Sequence, residues 1–502
     1  MNAQLSNNFL DFKVGIIGAG IAGLYSALLL QSKGYTVNIL EASDRVGGRV
    51  RTHHFTKDEN QYFEAGAMRI PVTKFQDTIF SLIRYVNSHE KLPRSMAIRL
   101  IDFVYHHEGN YSYFGSTVLR HPVSDVTPAS AGWTDVPEPY QNRSAGDLLT
   151  SVLEELTQGL DNSFDETIER IVETYDQSTF RGYLIERKNW PPTLISFVET
   201  TLFHPNAFSY SIIDICMKYL DFNSKKWKTI DQGMSRLTDA MAYLIGHENI
   251  TLGANVTALI NTGDHRVTVK ATCSHGSFSS EFDRVILALP APALSSITTR
   301  PRWSIRKEMA IRSLNLEPAY KLGLRFETRF WERLSSGGSM GGQCVTDLPI
   351  RALMYPSYGI GTSGPGVLQV YLWLTDAQSV IPLTTEQRQR LALDGIAELY
   401  QDQLGEDGER IDVHGQFIEA SETMWSEPTA TGLTLPRPGQ FSTHLKWAKK
   451  AENNIFFAGS HLTYHYDWML GAALSSIEVV KDMLQEDVQP LTDVSTEFKP
   501  RL

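Results

Sequence analysis

The run Val14-Gly15-Ile16-Ile17, followed by Gly18-Ala19-Gly20-Ile21-Ala22-Gly23, leaves this chain few ways to fold. An apolar strand enters three glycines at GxGxxG spacing, an apolar helix leaves them, and a second apolar strand ends on Glu41. Each glycine answers a separate need. Gly18 makes the tight turn, Gly20 lets backbone approach a pyrophosphate, and Gly23 lets the helix pack closely on the strand. The amides of Ile21 and Ala22 at the start of the helix would face the phosphates, because unpaired N–H groups and the helix dipole favour negative charge there. Glu41 lies roughly twenty residues on, where an acidic side chain can bind a ribose hydroxyl pair. A glycine pattern alone is weak, but between a strand and a helix it predicts a dinucleotide-binding βαβ unit.

Directly after Glu41 the chain reads Ala42-Ser43-Asp44-Arg45-Val46-Gly47-Gly48-Arg49-Val50-Arg51-Thr52. A plain nicotinamide site has no need of this second diglycine with its arginines. The segment resembles the flavin-containing amine oxidase family, which sets such a GGR element against the pyrophosphate of FAD. The resemblance implies FAD rather than NAD, with Ala42 and Arg49 among its contacts. The next motif, Gly66-Ala67-Met68-Arg69-Ile70-Pro71, is similar to the L-amino acid oxidase branch of that family. In that branch the arginine forks onto the substrate carboxylate, which carries over to Arg69. A planar guanidinium suits the role, because it donates two parallel hydrogen bonds to a carboxylate. The small residues Gly66 and Ala67 would let backbone pass close to a flat ring, so this segment, Met68 and Arg69 included, is also expected to border the cofactor.

At 502 residues the chain can form two or three lobes. A net charge of −11 argues against nucleic acid and against an anionic membrane surface as partners. Cys216, Cys273 and Cys344 are scattered without metal spacing, so neither a disulfide framework nor a metal site is expected. The first dozen residues lack a basic start and a long apolar run, and the apolar run from Val14 to Leu30 is interrupted by four glycines. Neither a secretory signal nor a membrane span is therefore expected. The expected location is cytoplasmic, with Pro500-Arg501-Leu502 loosely resembling a peroxisomal address.

The dinucleotide domain is expected to be discontinuous, formed by residues 1–72, 226–300 and 440–502. Residues 73–225 carry apolar positions at helical spacing, as in FQDTIFSLIRYVNSH and FDETIERIVETY, and predict a mostly helical lobe. Within it FVYHHEGNYSYFG predicts a hairpin turning near Gly109, and His204, without ligand spacing, reads as a structural histidine. NITLGANVTAL and HRVTVKA alternate as paired strands, and FDRVILALP reads as a strand returning to the central sheet. Residues 301–439 are expected to form a substrate-binding domain. By resemblance, Val256 touches the adenine, and Lys321 in AYKLGLRFETRFW holds a water beside the reactive nitrogen of the flavin. Tyr355, in TDLPIRALMYPS, matches a tyrosine that binds the substrate carboxylate.

The last motif is Asn454-Ile-Phe-Phe-Ala-Gly459-Ser460-His461, continuing to Asp467-Trp468-Met469-Leu470-Gly471. A strand, a small-residue turn and a helix start offer a second helix N-terminus to the flavin's polar edge. The family has AGE at this turn and a glycine before the tryptophan; here Ser460 and Asp467 replace them. The resemblance still places Gly459 and Ser460 at the cofactor, Asp467 and Trp468 beside the substrate, and the Met469 backbone against the flavin ring. No cysteine lies in this segment, so the FAD is expected to be noncovalent.

The expected fold is α/β: a discontinuous Rossmann-like FAD-binding domain, a substrate-binding mixed sheet and a helical lobe. The expected reaction is oxidative deamination of an L-amino acid to a 2-oxo acid, ammonia and hydrogen peroxide, with the amino acid and O2 as small-molecule partners. A second copy of the chain is a further candidate partner. The alternative is an amine oxidase or tailoring oxidase acting on a monoamine, polyamine or natural-product amine; a more distant one is a flavoprotein without turnover.

Overall fold

The computed structural model describes residues 12–120, 122–262, 265–427 and 430–493. The terminal Pro500-Arg501-Leu502 lies outside them. At the centre is a five-stranded sheet in the order Ile250–Thr251, Thr36–Leu40, Lys13–Ile17, Arg284–Leu287, Ile455–Phe457. Every ladder is parallel: Ile16 lies opposite Ile39 and Ile286, and Leu287 opposite Phe457. These strands are mostly apolar, as in VGII, VIL and IFF, because both faces of the sheet are covered. Val14, Ile16, Val37, Ile39 and Ile286 pack under the helices Ile21–Ser32, Ser235–Ile245 and Met469–Leu484. Ile17, Leu40, Val285, Leu287 and Ile455 point the other way, onto an antiparallel sheet of Asn255–Asn261, Val267–Cys273 and Gly276–Phe282.

The second large sheet runs Gly342–Val345, Ala352–Tyr355, Gly366–Trp373, Ala319–Phe326, Phe417–Met424. Its four ladders are antiparallel, and one parallel bridge, Tyr113 to Thr346, ties its edge to the hairpin Ser112–Phe114 and Thr117–Leu119. Side chains alternate across it. Tyr320, Leu322, Leu324, Val370, Leu372, Leu353 and Tyr355 form one buried face against the helix Thr385–Tyr400. Ala319, Lys321, Tyr371, Trp373 and Met354 form the other and line a cavity.

The helices Ala145–Thr157, Phe164–Tyr175, Phe180–Lys188, Pro192–Thr201 and Ile212–Phe222 share one apolar core, and the first and last of them line that cavity. Ser144 and Ser211 start the first and last of these, their hydroxyls accepting the Asp147 and Ile213 N–H groups, an N-cap bond that stabilises by about 1 kcal/mol. The hairpin expected to turn near Gly109 does not form there. Leu100–Asp102 pairs instead with Trp227–Ile230, and the hairpin turns later, through Gly115 and Ser116, both at positive φ. Among the described residues, no helix is long and apolar enough to cross a membrane.

Candidate active site

One cavity of about 1160 Å³ runs from the C-terminal ends of the parallel strands to the helical lobe. At its inner end Gly18 turns at φ +106°, where a Cβ would lie 2.5 Å from the Ala288 carbonyl oxygen. At Gly23 a Cβ would lie 1.9 Å from the Gly18 oxygen, so this glycine permits the close helix packing rather than lining the space. Gly20 differs from both. A Cβ there would meet no protein atom within 4 Å and would project into the opening beside Ile21 and Ala22. Glu41 also lines this end, oriented by three donors: the Ala19 amide at 2.6 Å, and the Ser43 amide and hydroxyl at 2.9 and 2.7 Å. A carboxylate accepts about four hydrogen bonds, so capacity remains for a ribose diol. Ala42 and Val256 complete this wall. A glycine-floored opening at a helix N-terminus with a fixed acid beyond it fits a dinucleotide.

Farther along, Gly48 sits against Gly20, and Gly66 and Ala67 hydrogen-bond to the backbone of Arg51 and Arg49. Arg49 donates to the Gly432 oxygen at 3.3 Å and to Ser460 Oγ at 3.2 Å. Gly459, Ser460, Met68 and Met469 line the space around it, and among the lining residues none is a cysteine. Trp425 Nε1 donates to the Ala65 oxygen, fixing the strand that leads into Gly66.

At the outer end Arg69 is caged by aromatic rings. Its guanidinium carbon lies 5.6 Å from the centre of Phe103, 4.9 Å from Tyr105, 5.3 Å from Phe222 and 5.4 Å from Trp227. Trp468 extends the cage, packing on Phe222 and Trp227, and its indole favours the charged form of nearby Asp221, against the burial that raises that carboxyl's pKa. The rings attract the cation through their π-faces and supply no carboxylate to its N–H donors. Among the described residues Arg69 has no ion pair and no hydrogen bond, and burial lowers its proton affinity.

Lys321 faces Arg69 across this end. Its Nζ donates to the Gly66 oxygen at 2.6 Å and the Glu64 oxygen at 3.1 Å. Burial lowers its pKa to about 7, with the Glu64 carboxylate opposing the shift and Arg69 adding to it. Glu64 is itself pushed up to about 8 by burial, against hydrogen bonds from the Met234 amide and Thr52 hydroxyl.

The sheet places Tyr355 elsewhere. It follows Met354 on the strand, so alternation turns it to the opposite face, where its hydroxyl lies 3.1 Å from that of Tyr400 in the apolar core. It does not line the cavity, and this placement does not support the carboxylate role expected from its motif. Tyr371 takes the cavity position instead, with Arg69 and Asp467 both acting on its hydroxyl. The reading by motif chose a tyrosine next to a proline; the signal that selects Tyr371 is its cross-strand pairing with Lys321.

Four further cavity residues escaped motif reading: Tyr105, His204, Lys218 and Trp373. Lys218 pairs with the wholly buried Asp214 at 2.8 Å and lies over the Trp373 ring at 4.7 Å. His204 does line the cavity, but burial and nearby Lys218 lower its pKa to about 3 and keep it neutral. Asp467 reaches the cavity beside Trp468, its Oδ2 3.9 Å from Lys218. Among the described residues no group of His, Cys, Asp and Glu could hold a metal ion.

A family model described as flavin containing amine oxidoreductase matches residues 21–484. A Dictyostelium discoideum protein named as a bifunctional amine oxidase is 30% identical over 95% of this chain, and the chain spans 46% of that longer protein. L-amino-acid oxidase 4 of Hebeloma cylindrosporum is 26% identical, with 94% of this chain and 82% of that one covered. Among solved structures, a putrescine oxidase double mutant redesigned in its cofactor binding superposes with a TM-score of 0.72, covering 95% of this chain and all of that one at 19% identity. At that identity the likeness speaks for the fold.

Proposed function

Since this chain belongs to the flavin-containing amine oxidoreductases and its cofactor is FAD, we propose that it oxidises the Cα–N bond of an L-amino acid. The products are a 2-oxo acid, ammonia and hydrogen peroxide. The observation that carries this reading is Arg69: a cavity-lining guanidinium surrounded by aromatic rings, whose donors have no partner among the described residues. A substrate carboxylate fills those donors, whereas an amine without one leaves a half-buried cation unpaired, at a cost of several kcal/mol. The L configuration follows the names of relatives such as the Hebeloma oxidase.

Bound FAD supplies the two-electron acceptor that dioxygen restores. The residues do the rest. Gly20, Glu41 and the Gly47–Arg49 turn hold the dinucleotide noncovalently, with Val256 at the adenine and Gly459 and Ser460 near the polar chain. Arg69 and Tyr371 fix the substrate carboxylate, and Trp468 walls the site, so that the Cα–H bond is presented in one orientation. Lys321, held by two carbonyl oxygens, keeps a water beside the reactive centre. Solvent water then hydrolyses the imine product.

A peroxide-release screen of the purified holoenzyme against L-amino acids, their D-enantiomers and the matching decarboxylated amines tests the reading. Turnover confined to L-amino acids is expected; turnover confined to amines overturns the carboxylate assignment.

A further inference from the structure

We propose that Asp467 accepts the proton of the substrate ammonium, so that the amine is neutral when its Cα–H bond breaks. This rests on the reading of the cavity as an amino-acid oxidising site.

Asp467 keeps 18% of its side chain open, at the cavity wall between Tyr466 and Trp468. Its surroundings leave it uncommitted. On the helix Ile212–Phe222, Lys218 is already bound to Asp214 at 2.8 Å, and Asp214 also accepts the Tyr466 hydroxyl at 2.6 Å. Lys218 therefore stands 3.9 Å from Asp467, too far for a hydrogen bond, and Asp467 Oδ1 has no partner among the described residues. Arg49 acts on it from the diglycine turn, but spends its hydrogen bonds on Gly432 and Ser460. Asp221, on the same helix, repels it, and Tyr371 faces it from the sheet.

Around this point three carboxylates (Asp214, Asp221 and Asp467) stand against two cations (Lys218 and Arg49), with His204 kept neutral. Burial raises the Asp221 pKa to about 7, and Arg69, which acts on Tyr371, is a further cation of this cavity. Asp467 is the member of this group left without a hydrogen-bond partner on Oδ1 among the described residues, so an ammonium at the cavity wall finds an open acceptor there. Burial, with Asp214 adding to it, raises the Asp467 pKa to about 7, although Lys218 and Arg49 oppose the shift. A base of that affinity is matched to proton transfer near neutral pH.

The placement also suits one amino acid. Arg69, Tyr371 and Asp467 line one cavity, and both charged groups act on the Tyr371 hydroxyl, so a guanidinium for the carboxylate and a carboxylate for the ammonium face the same space. In the step, an N–H bond of the ammonium breaks and an O–H bond forms on Asp467. The electron pair stays on nitrogen, where it drives loss of hydride from Cα. No oxidant enters this proton transfer.

The test is the pH profile of kcat/KM for holoenzyme carrying Asp467→Asn, with flavin content and Tm as folding controls. Wild type should rise through neutral pH and then hold a plateau until the substrate's own ammonium titrates. Asp467→Asn should use only the neutral amine, its kcat/KM climbing about tenfold per pH unit across that plateau region, and Asp467→Glu should restore the plateau. A wild-type profile in Asp467→Asn overturns the proposal. Infrared difference spectra of wild type mixed anaerobically with substrate give a second readout: a protonated-carboxyl stretch should appear and be lost in Asp467→Asn, and its absence in wild type overturns the proposal even if the variant sheds FAD. Both measurements are made with an amino acid and with its decarboxylated amine. If only the amine reacts, the Arg69 reading fails while the Asp467 proposal is decided on the amine profile; if wild type oxidises neither, both fall.

Discussion

Lys321 and Tyr371 face each other directly across two antiparallel strands, and the lysine Nζ lies 4.9 Å from the centre of the tyrosine ring. This pair joins the two halves of the proposed site, because Lys321 is anchored on the Gly66 carbonyl while Tyr371 looks toward Arg69.

The two tyrosines of this sheet should separate cleanly. Tyr371→Phe should raise KM for an amino acid about tenfold, the value of one hydrogen bond to a charged group. Tyr355→Phe should leave KM alone and lower stability by about 1 kcal/mol through the lost Tyr400 contact. Steady-state kinetics and thermal melts of both variants check this; a KM effect confined to Tyr355→Phe would return the role to that residue.

Arg69→Ala should raise KM for amino acids about a hundredfold or more, since removing one member of a buried charge pair costs roughly 2–5 kcal/mol. FAD should stay bound, as read from the visible spectrum. Arg69→Lys should rescue poorly, because an ammonium lacks the paired planar donors and the broad delocalised cation that Tyr105 and Trp227 surround.

Gly20→Ala and Gly23→Ala should fail for different reasons. The methyl at position 20 meets no protein atom, so the apoprotein should fold with unchanged Tm while FAD affinity falls on the order of tenfold. The methyl at position 23 collides with the Gly18 oxygen, so the apoprotein itself should be destabilised. Apoprotein melts and FAD titration by fluorescence quenching separate the two.

Glu64 gives a pH signature. Burial pushes its pKa up to about 8 from an ordinary 4.5, so between these values the folded state holds one more proton than the unfolded chain. Stability from this group therefore falls as pH rises through that window. Glu64→Gln should flatten the Tm profile there relative to wild type. Lys321, lowered to about 7, acts with opposite sign above pH 7, where the unfolded chain holds the extra proton. An unchanged slope below pH 7 in Glu64→Gln would show that the buried carboxyl is ionised.

The amino-acid sequence by itself determined the cofactor cradle and the family. Strand, glycine turn, helix and acid at Glu41 are local in the chain, and their spacing is imposed by backbone sterics and phosphate charge, so Gly18, Gly20, Gly23 and Glu41 could be read before any packing was known. Arg69, Lys321, Trp468 and Met469 were found through motifs of the same local kind, and all four line the cavity. Tertiary structure decided what depends on partners distant in sequence. Strand alternation sends Tyr355 into the core and Tyr371 into the cavity, and the register of Ala319–Phe326 with Gly366–Trp373 sets which residues share a face. The helix Ile212–Phe222 brings Lys218 and Asp214 to Asp467 across more than two hundred residues of chain, which no spacing rule encodes. Burial of that cluster, a property of the packed interior alone, gives Asp467 its affinity for a proton.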